Sequence, residues 1–357
     1  MSQSDTPIPE LPSKVPYVYL GKSGLKVSKV ILGCMTYGGG EWLGWQWLLD
    51  EDTAIRHIKY AYECGIQTFD TAPVYSNGLS EAILGKAIRV LGLPRDEIVV
   101  MTKFGAPVVR EGGAAVLRDG EAADRAGYVN QYGMSRKYIY ASVRDSLKRL
   151  QLDYIDVLQC HRLAPGQPFE EMMHALHELV QQGLVRYIGM SSCYAWEFHV
   201  MQNYALTHNL TPFISMQNHH SLIYREEERE MFPTLNHFGV SAIPWSSLGR
   251  GLLCRPWKSS SDSKRSESDK FLVNYGDDPS LETIVNRVEE IADKRGISMA
   301  QVALAWETSK SVVAAPIIGT TNLHNLKDIV EGIDVKLTEE EIKYLEEPYR
   351  PMKIIGH

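Results

Sequence analysis

Short apolar runs alternate with amphipathic stretches along most of the chain. Val30–Gly33, Gln67–Asp70, Ile98–Thr102, Ile155–Cys160, Arg186–Met190, Phe213–Gln217, Ser241–Trp245 and Val312–Ile318 read as buried strands. Between them lie segments of helical length. Asp52–Cys64 sets Ile55, Ile58, Ala61 and Tyr62 on one face and stops at Gly65. Ser80 is placed to cap Glu81–Val90, and Ser135–Leu150 carries Ile139, Val143, Leu147 and Leu150. Glu170–Gln182, Trp196–His208 and Glu226–Phe238 follow. Ser298-x-x-Gln301 and Thr338-x-x-Glu341 resemble capping boxes, the first opening Met299–Ser309. Glycines after three of these helices suit a left-handed residue past a helix end.

Eight strands alternating with helices predict a (β/α)8 TIM barrel rather than a doubly wound open sheet. No GxGxxG follows the first strand, and the polar candidates collect after many strands rather than at one switch point. Tyr17–Leu20 and Leu25–Val27 flank Gly21-Lys22-Ser23-Gly24, a β-hairpin signature ahead of the barrel. Residues 1–16 are polar and proline-rich and read as a flexible lead-in, with 17–357 as one domain. Ala106–Met134 and Arg255–Ser280 break the rhythm as long loops on the face where the strands end.

Composition narrows the function classes. A net charge of −7 without an arginine-rich stripe argues against nucleic acid. No apolar run is long enough to span a membrane. The opening residues lack a secretory pattern, and Cys34, Cys64, Cys160, Cys193 and Cys254 are odd in number with no CxxC. A reducing, cytoplasmic setting is the expectation. No oligomeric state is read from the chain.

Four residues carry the chemistry. Asp70, Tyr75, Lys103 and His161 each fall at or just after a strand end. A phenol of pKa near ~10 is a poor acid for a developing alkoxide. An ammonium beside it lowers that value, a carboxylate holds the ammonium, and an imidazole orients a carbonyl oxygen. Alone, each has a plain structural reading. Adjacent strand ends in a barrel, roughly 5 Å apart, bring the set together. His219-His220 is a poor metal pair, because neighbours in an extended chain point oppositely, and no further ligand set accompanies it. Gly38-Gly39-Gly40 is a loop after the first barrel strand. Trp42, Trp45 and Trp47 suit either rim packing or an aromatic substrate wall.

Phe69-Asp70-Thr71-Ala72, Tyr75-Ser76-Asn77-Gly78, Thr102-Lys103-Phe104-Gly105, His161-Arg162, Gly189-Met190-Ser191-Ser192, Met216-Gln217-Asn218 and Ile243-Pro244-Trp245-Ser246-Ser247-Leu248-Gly249-Arg250-Gly251 together resemble the aldo-keto reductase signature. The order holds across roughly Tyr17 to Glu347. Tyr224-Arg225-Glu226-Glu227-Glu228 resembles the branch holding fungal aryl-alcohol dehydrogenase-like and potassium channel β-subunit-like members. The resemblance implies that Tyr75 is the general acid, tuned by Lys103 and Asp70, with His161 positioning a small-molecule carbonyl. It implies a nicotinamide cofactor held at the barrel mouth. Ser191 and Gln217 would hold the amide, Ser192 would join the cofactor site at a position where relatives often carry Asn or Arg, and Trp245 would stack on the ring. Ser246, Leu248, Gly249 and Gly251 would wrap the pyrophosphate, with Arg255 or Lys258 on phosphate. Gly319, Thr321, Asn325 and Asp328 would border the adenosine.

The family leans to NADP(H). Asn322 and Asn325 stand where many relatives carry a basic residue, which leaves NAD(H) open. Leu163-Ala164 follow His-Arg where relatives often have an acid. The expected activity is reduction of an aromatic or apolar aldehyde or ketone, in fungal detoxification or secondary metabolism. One rival is a nicotinamide-bound regulatory subunit like the channel-associated members. Another is a barrel hydrolase or lyase using Asp70 and His161.

Overall fold

Eight parallel strands form one sheet in chain order, except that the last strand pairs with the first. The computed structural model describes residues 8–39, 44–110, 120–163, 166–259, 268–276 and 279–357. Gly40, Trp42, Ala164 and parts of the two long loops lie outside the described residues. The strands are β3 (Ile31–Gly33), β4 (Thr68–Asp70), β5 (Val99–Phe104), β6 (Ile155–Cys160), β7 (Val185–Ser191), β8 (Phe213–Gln217), β9 (Ser241–Ala242) and β10 (Ile317–Ile318). Single parallel bridges, Ala242 with Val313 and Trp245 with Ile317, join β9 to β10 and close the barrel. The antiparallel hairpin β1 (Tyr17–Tyr19) and β2 (Lys26–Ser28) seals its floor. There Leu20 and Val27 pack on Ile31, Met101, Val157 and Ile243 from inside the barrel. The (β/α)8 expectation with an N-terminal hairpin is met.

Two strands are shorter than the apolar runs that predict them. Ser241–Trp245 yields only Ser241–Ala242, and Val312–Ile318 only Ile317–Ile318. Pro244 and Pro316 have no N–H to give the ladder, so pairing continues as isolated bridges.

The helices include α1 (Glu51–Glu63), α2 (Leu79–Val90), α3 (Gly120–Arg125), α4 (Arg136–Leu150), α5 (Phe169–Gln181), α6 (Ala195–Thr207) and α7 (Met231–Phe238). They continue with α8 (Pro279–Arg295), α9 (Met299–Ser309), α10 (Leu323–Glu331) and α11 (Glu339–Glu346). The predicted Glu226–Phe238 helix splits into a 3-10 turn at Glu226–Glu228 and α7. Starting at Met231 keeps Pro233 in the first turn, where a missing N–H costs nothing.

Ser80 does not cap α2. The cap position is Gly78, and the Ser80 hydroxyl donates to Cys34 O at 2.7 Å. Ser298 caps α9, but the Gln301 side chain turns to Asp328, leaving half a capping box. The Thr338–Glu341 box is complete. Helix α8 emerges where the second long loop ends. Its Leu281, Ile284, Val285 and Val288 face a core shared with Tyr224 and Trp306. No helix among the described residues is long and apolar enough to cross a membrane.

Candidate active site

Side chains alternate along a strand, so every second residue points into the barrel. Met101 belongs to the apolar floor, and Lys103 stands two residues higher. Val157 is followed likewise by Gln159, and Ser215 by Gln217. The top layer is therefore polar, and it collects Asp70, Lys103, Gln159 and Gln217. Lys103 Nζ donates to Asp70 Oδ2 at 2.6 Å, Thr71 O at 3.0 Å and Tyr75 Oη at 3.2 Å. Asp70 Oδ1 accepts from Gln159 Nε2 at 2.9 Å and Gln217 Nε2 at 2.8 Å. The His161 ring meets the Tyr75 ring edge-on at 6.0 Å between centroids. The four chemistry-bearing residues are thus neighbours.

Tyr75 sits in an unusual turn. Ser76 and Asn77 both have left-handed backbones, with φ of 45° and 53°, ahead of Gly78 at 93°. Asn77 stabilises the turn by pairing both amide atoms with the Val109 backbone, at 2.7 and 2.8 Å. This pins the tyrosine to the described start of the first long loop.

The electrostatics correct one expectation. Burial pushes the Tyr75 phenol above its ordinary value; Lys103 pulls it down, Asp70 pushes it up, and Arg162 pulls it down more weakly. The ammonium's lowering is real but is outweighed by burial, so the phenol keeps its proton through neutral pH. Burial works to lower Lys103, but the Asp70 carboxylate and the Tyr75 oxygen outweigh it and keep the ammonium charged. Burial, aided by Arg162 and Lys103, holds His161 well below the usual imidazole range. It is a neutral ring with one N–H to donate.

The predicted cofactor residues follow neighbouring strands. Ser191 and Gln217 end β7 and β8, and the Ser191 hydroxyl donates to Gln217 O at 2.8 Å. Trp245 Nε1 donates to Ser192 Oγ at 3.2 Å. Gln217 spends its Nε2 on Asp70 and Gln159, leaving its Oε1 for an outside donor. Ser246, Leu248, Gly249 and Gly251 form the turn after Trp245, with φ of 58° at Ser246, 56° at Gly249 and 100° at Gly251. A Cβ on Gly251 would lie 3.5 Å from an Arg255 Nη, so that guanidinium rests at the turn, while Lys258 is exposed. Gly319 and Thr321 follow β10, and Asn325 is exposed on α10. Asp328 is otherwise engaged: Ser298 Oγ and Gln301 Nε2 take its two oxygens at 2.6 and 3.0 Å. An aromatic plate, an amide-and-hydroxyl edge and a cation in that order fit the ring, carboxamide and diphosphate of a nicotinamide dinucleotide.

Three partners escaped the sequence reading. Gln159 anchors Asp70, and its signal is a lone amide inside an apolar strand. Asn77 clamps the tyrosine turn. His219 backs Trp245: the rings of Tyr224, His219 and Trp245 stack with centroids 4.1 and 4.3 Å apart. Its neighbour His220 points to Glu307 instead, so the two histidines diverge. Trp45 stacks on Trp47 at 4.9 Å.

The sequence model of the aldo/keto reductase family matches residues 29–350. The chain is 48% identical over 341 residues to versiconal hemiacetal acetate reductase of Aspergillus parasiticus, covering 95% of this chain and 98% of that relative. It is 44% identical over 351 residues to the aldo-keto reductase AFTS1 of Alternaria alternata, covering 97% and 94%. An aryl-alcohol dehydrogenase-like protein of Schizosaccharomyces pombe is 46% identical over 346 residues, covering 95% and 97%.

Proposed function

Because the chain belongs to the aldo/keto reductase family, we propose that it is an NADP(H)-dependent reductase of aromatic or apolar aldehydes and ketones, with Tyr75 as proton donor. The family's members are oxidoreductases of carbonyl compounds that use nicotinamide cofactors. When bound, the reduced nicotinamide supplies the hydride. Everything else falls to the chain's own side chains. His161 donates its N–H to the carbonyl oxygen and fixes its direction. Tyr75 gives its proton to that oxygen as negative charge develops on it. Lys103 steadies the phenolate left behind, and Asp70 keeps Lys103 charged and in place. The floor of Met101, Val157 and Ile243 keeps water from entering below.

One observation carries the reading: a buried phenol 3.2 Å from an ammonium that is itself 2.6 Å from a buried carboxylate. That arrangement supplies a proton and stabilises the base that remains, which is the requirement for carbonyl reduction. Ser191, Gln217, Trp245 and Arg255 are the residues that would hold the cofactor. The test is NADPH oxidation over a panel of aryl aldehydes and ketones. Wild type should turn over at least one class. Tyr75→Phe should fall by roughly 10²–10⁴-fold while binding NADPH normally by fluorescence titration. A Tyr75→Phe enzyme with wild-type turnover removes the assigned acid.

A further inference from the structure

The barrel mouth holds one more charge than this proton transfer uses. Arg162 follows His161 at the end of β6. Its Nη1 donates to the His161 carbonyl and, at 2.9 Å, to Ser191 Oγ. These oxygens orient the guanidinium without neutralising it. Among the described residues no carboxylate lies within ion-pair distance of Arg162, and its Nη2 and Nε donate to none of them. The other cation of the site, Lys103, is already matched to Asp70.

The Trp245 ring and the Gly356 segment flank the guanidinium. Arg162 Cζ lies 5.6 Å from the Trp245 ring centroid. Gly356 closes the far side: a Cβ there would lie 3.1 Å from Trp245 Cζ2 and 3.7 Å from Arg162 Nη2. Arg162 keeps a part-exposed edge between these walls. Its charge also reaches the Tyr75 phenol. Glu227 is a carboxyl whose charge reaches Arg162 without an ion pair between them, and burial lifts it to about 8 against the pull of His220 and Arg162. His357, 3.7 Å from Glu227 Oε1, is held below its ordinary value by burial, so it adds no positive charge that would ionise Glu227.

A guanidinium withdrawn from water without a carboxylate is costly, and its fork matches an anion with two oxygens. We infer that Arg162 is a substrate-selecting residue, receiving a carboxylate carried by the carbonyl compound close to its reacting C=O. The inference rests on the reductase reading for the reaction, but not for the anion site itself.

Two measurements on the full chain test it. Isothermal titration calorimetry compares benzoate with methyl benzoate. Wild type should prefer benzoate by about tenfold or more, Arg162→Met should abolish that preference, and Arg162→Lys should keep part of it. NADPH-dependent turnover then compares ortho-carboxybenzaldehyde with its methyl ester. The acid-to-ester ratio of kcat/KM should exceed about ten in wild type and fall toward one in Arg162→Met. A wild type indifferent to the carboxylate in binding, or an Arg162→Met variant that keeps the preference, overturns the assignment. Benzoate bound through Arg162 without reduction of either aldehyde upholds the anion site and refutes the reductase reading instead.

Discussion

Lys103 and Asp70 are two charges withdrawn from water, and each is tolerable only because of the other. Lys103→Met leaves Asp70 with amide donors but no counter-charge. Urea unfolding should show a loss of roughly 3–5 kcal/mol. Adding Asp70→Asn should recover at least about half of that loss, since a neutral amide no longer demands a cation. A double variant no more stable than the single one contradicts this account. The same substitution reports on Tyr75. Burial raises the phenol and Lys103 opposes the rise, so removing the ammonium moves the alkaline limb of kcat/KM upward. An unmoved limb means that Lys103 does not tune the acid. At this scale the sequence was most informative: strand ends and residue types were enough to gather the four. It misjudged the net sign, because the burial that decides the phenol's pKa comes from the whole mouth and not from the residue beside it. It was silent on Arg162, whose interest lies in the partner it lacks.

Elements position these residues through backbone shape. The Tyr75 turn needs two consecutive left-handed residues, a conformation that costs an ordinary residue about 1–2 kcal/mol. Asn77 offsets this with two hydrogen bonds to Val109. Asn77→Ala should therefore lose stability and lower kcat by about tenfold through misplacement of the phenol. Asn77→Gly relieves the backbone but not the clamp, so it should recover stability and leave kcat low. Recovery of kcat in the glycine variant would assign Asn77 to backbone strain alone. Helix packing has its own constraint at Gly85 on α2, where a Cβ would fall 2.2 Å from Leu150 O. Gly85→Ala should destabilise by roughly 1–3 kcal/mol in thermal or urea unfolding, and wild-type stability would mean that α2 and α4 part easily. Periodicity disclosed the long elements well, including α1 and β6, because one face of each is buried throughout. It misjudged β9, β10 and the start of α7, where prolines set the ends, and Ser80, whose hydroxyl finds a better partner at Cys34, just past the neighbouring strand β3.

The whole molecule is braced by a buried charge network behind the mouth. His220 Nδ1 lies 2.6 Å from Glu307 Oε1 on α9, and its Nε2 lies 3.1 Å from Glu228. Arg225 and Lys310 tie Glu228 to Glu346 on α11. The network fixes the segment after β8 from outside, while its neighbour His219 supports Trp245 from inside. His220 is drawn down by burial but lifted further by Glu307 and Glu228, to about 9. Burial also raises Glu307 itself, yet the 2.6 Å contact and the second carboxylate favour a charged imidazole. A proton held more tightly when folded stabilises fully below the ordinary imidazole value near 6.5 and is lost as pH rises through about 9. The pair should then contribute on the order of 3 kcal/mol that disappears across that window. Glu227, raised to about 8, adds a fall of the same sign over an overlapping range. The test is therefore a difference in slope rather than a slope. Urea unfolding from about pH 6 to about pH 9 should show wild type losing more stability than Glu307→Gln, and equal slopes would mean that His220 is neutral in the folded protein and the brace is not ionic.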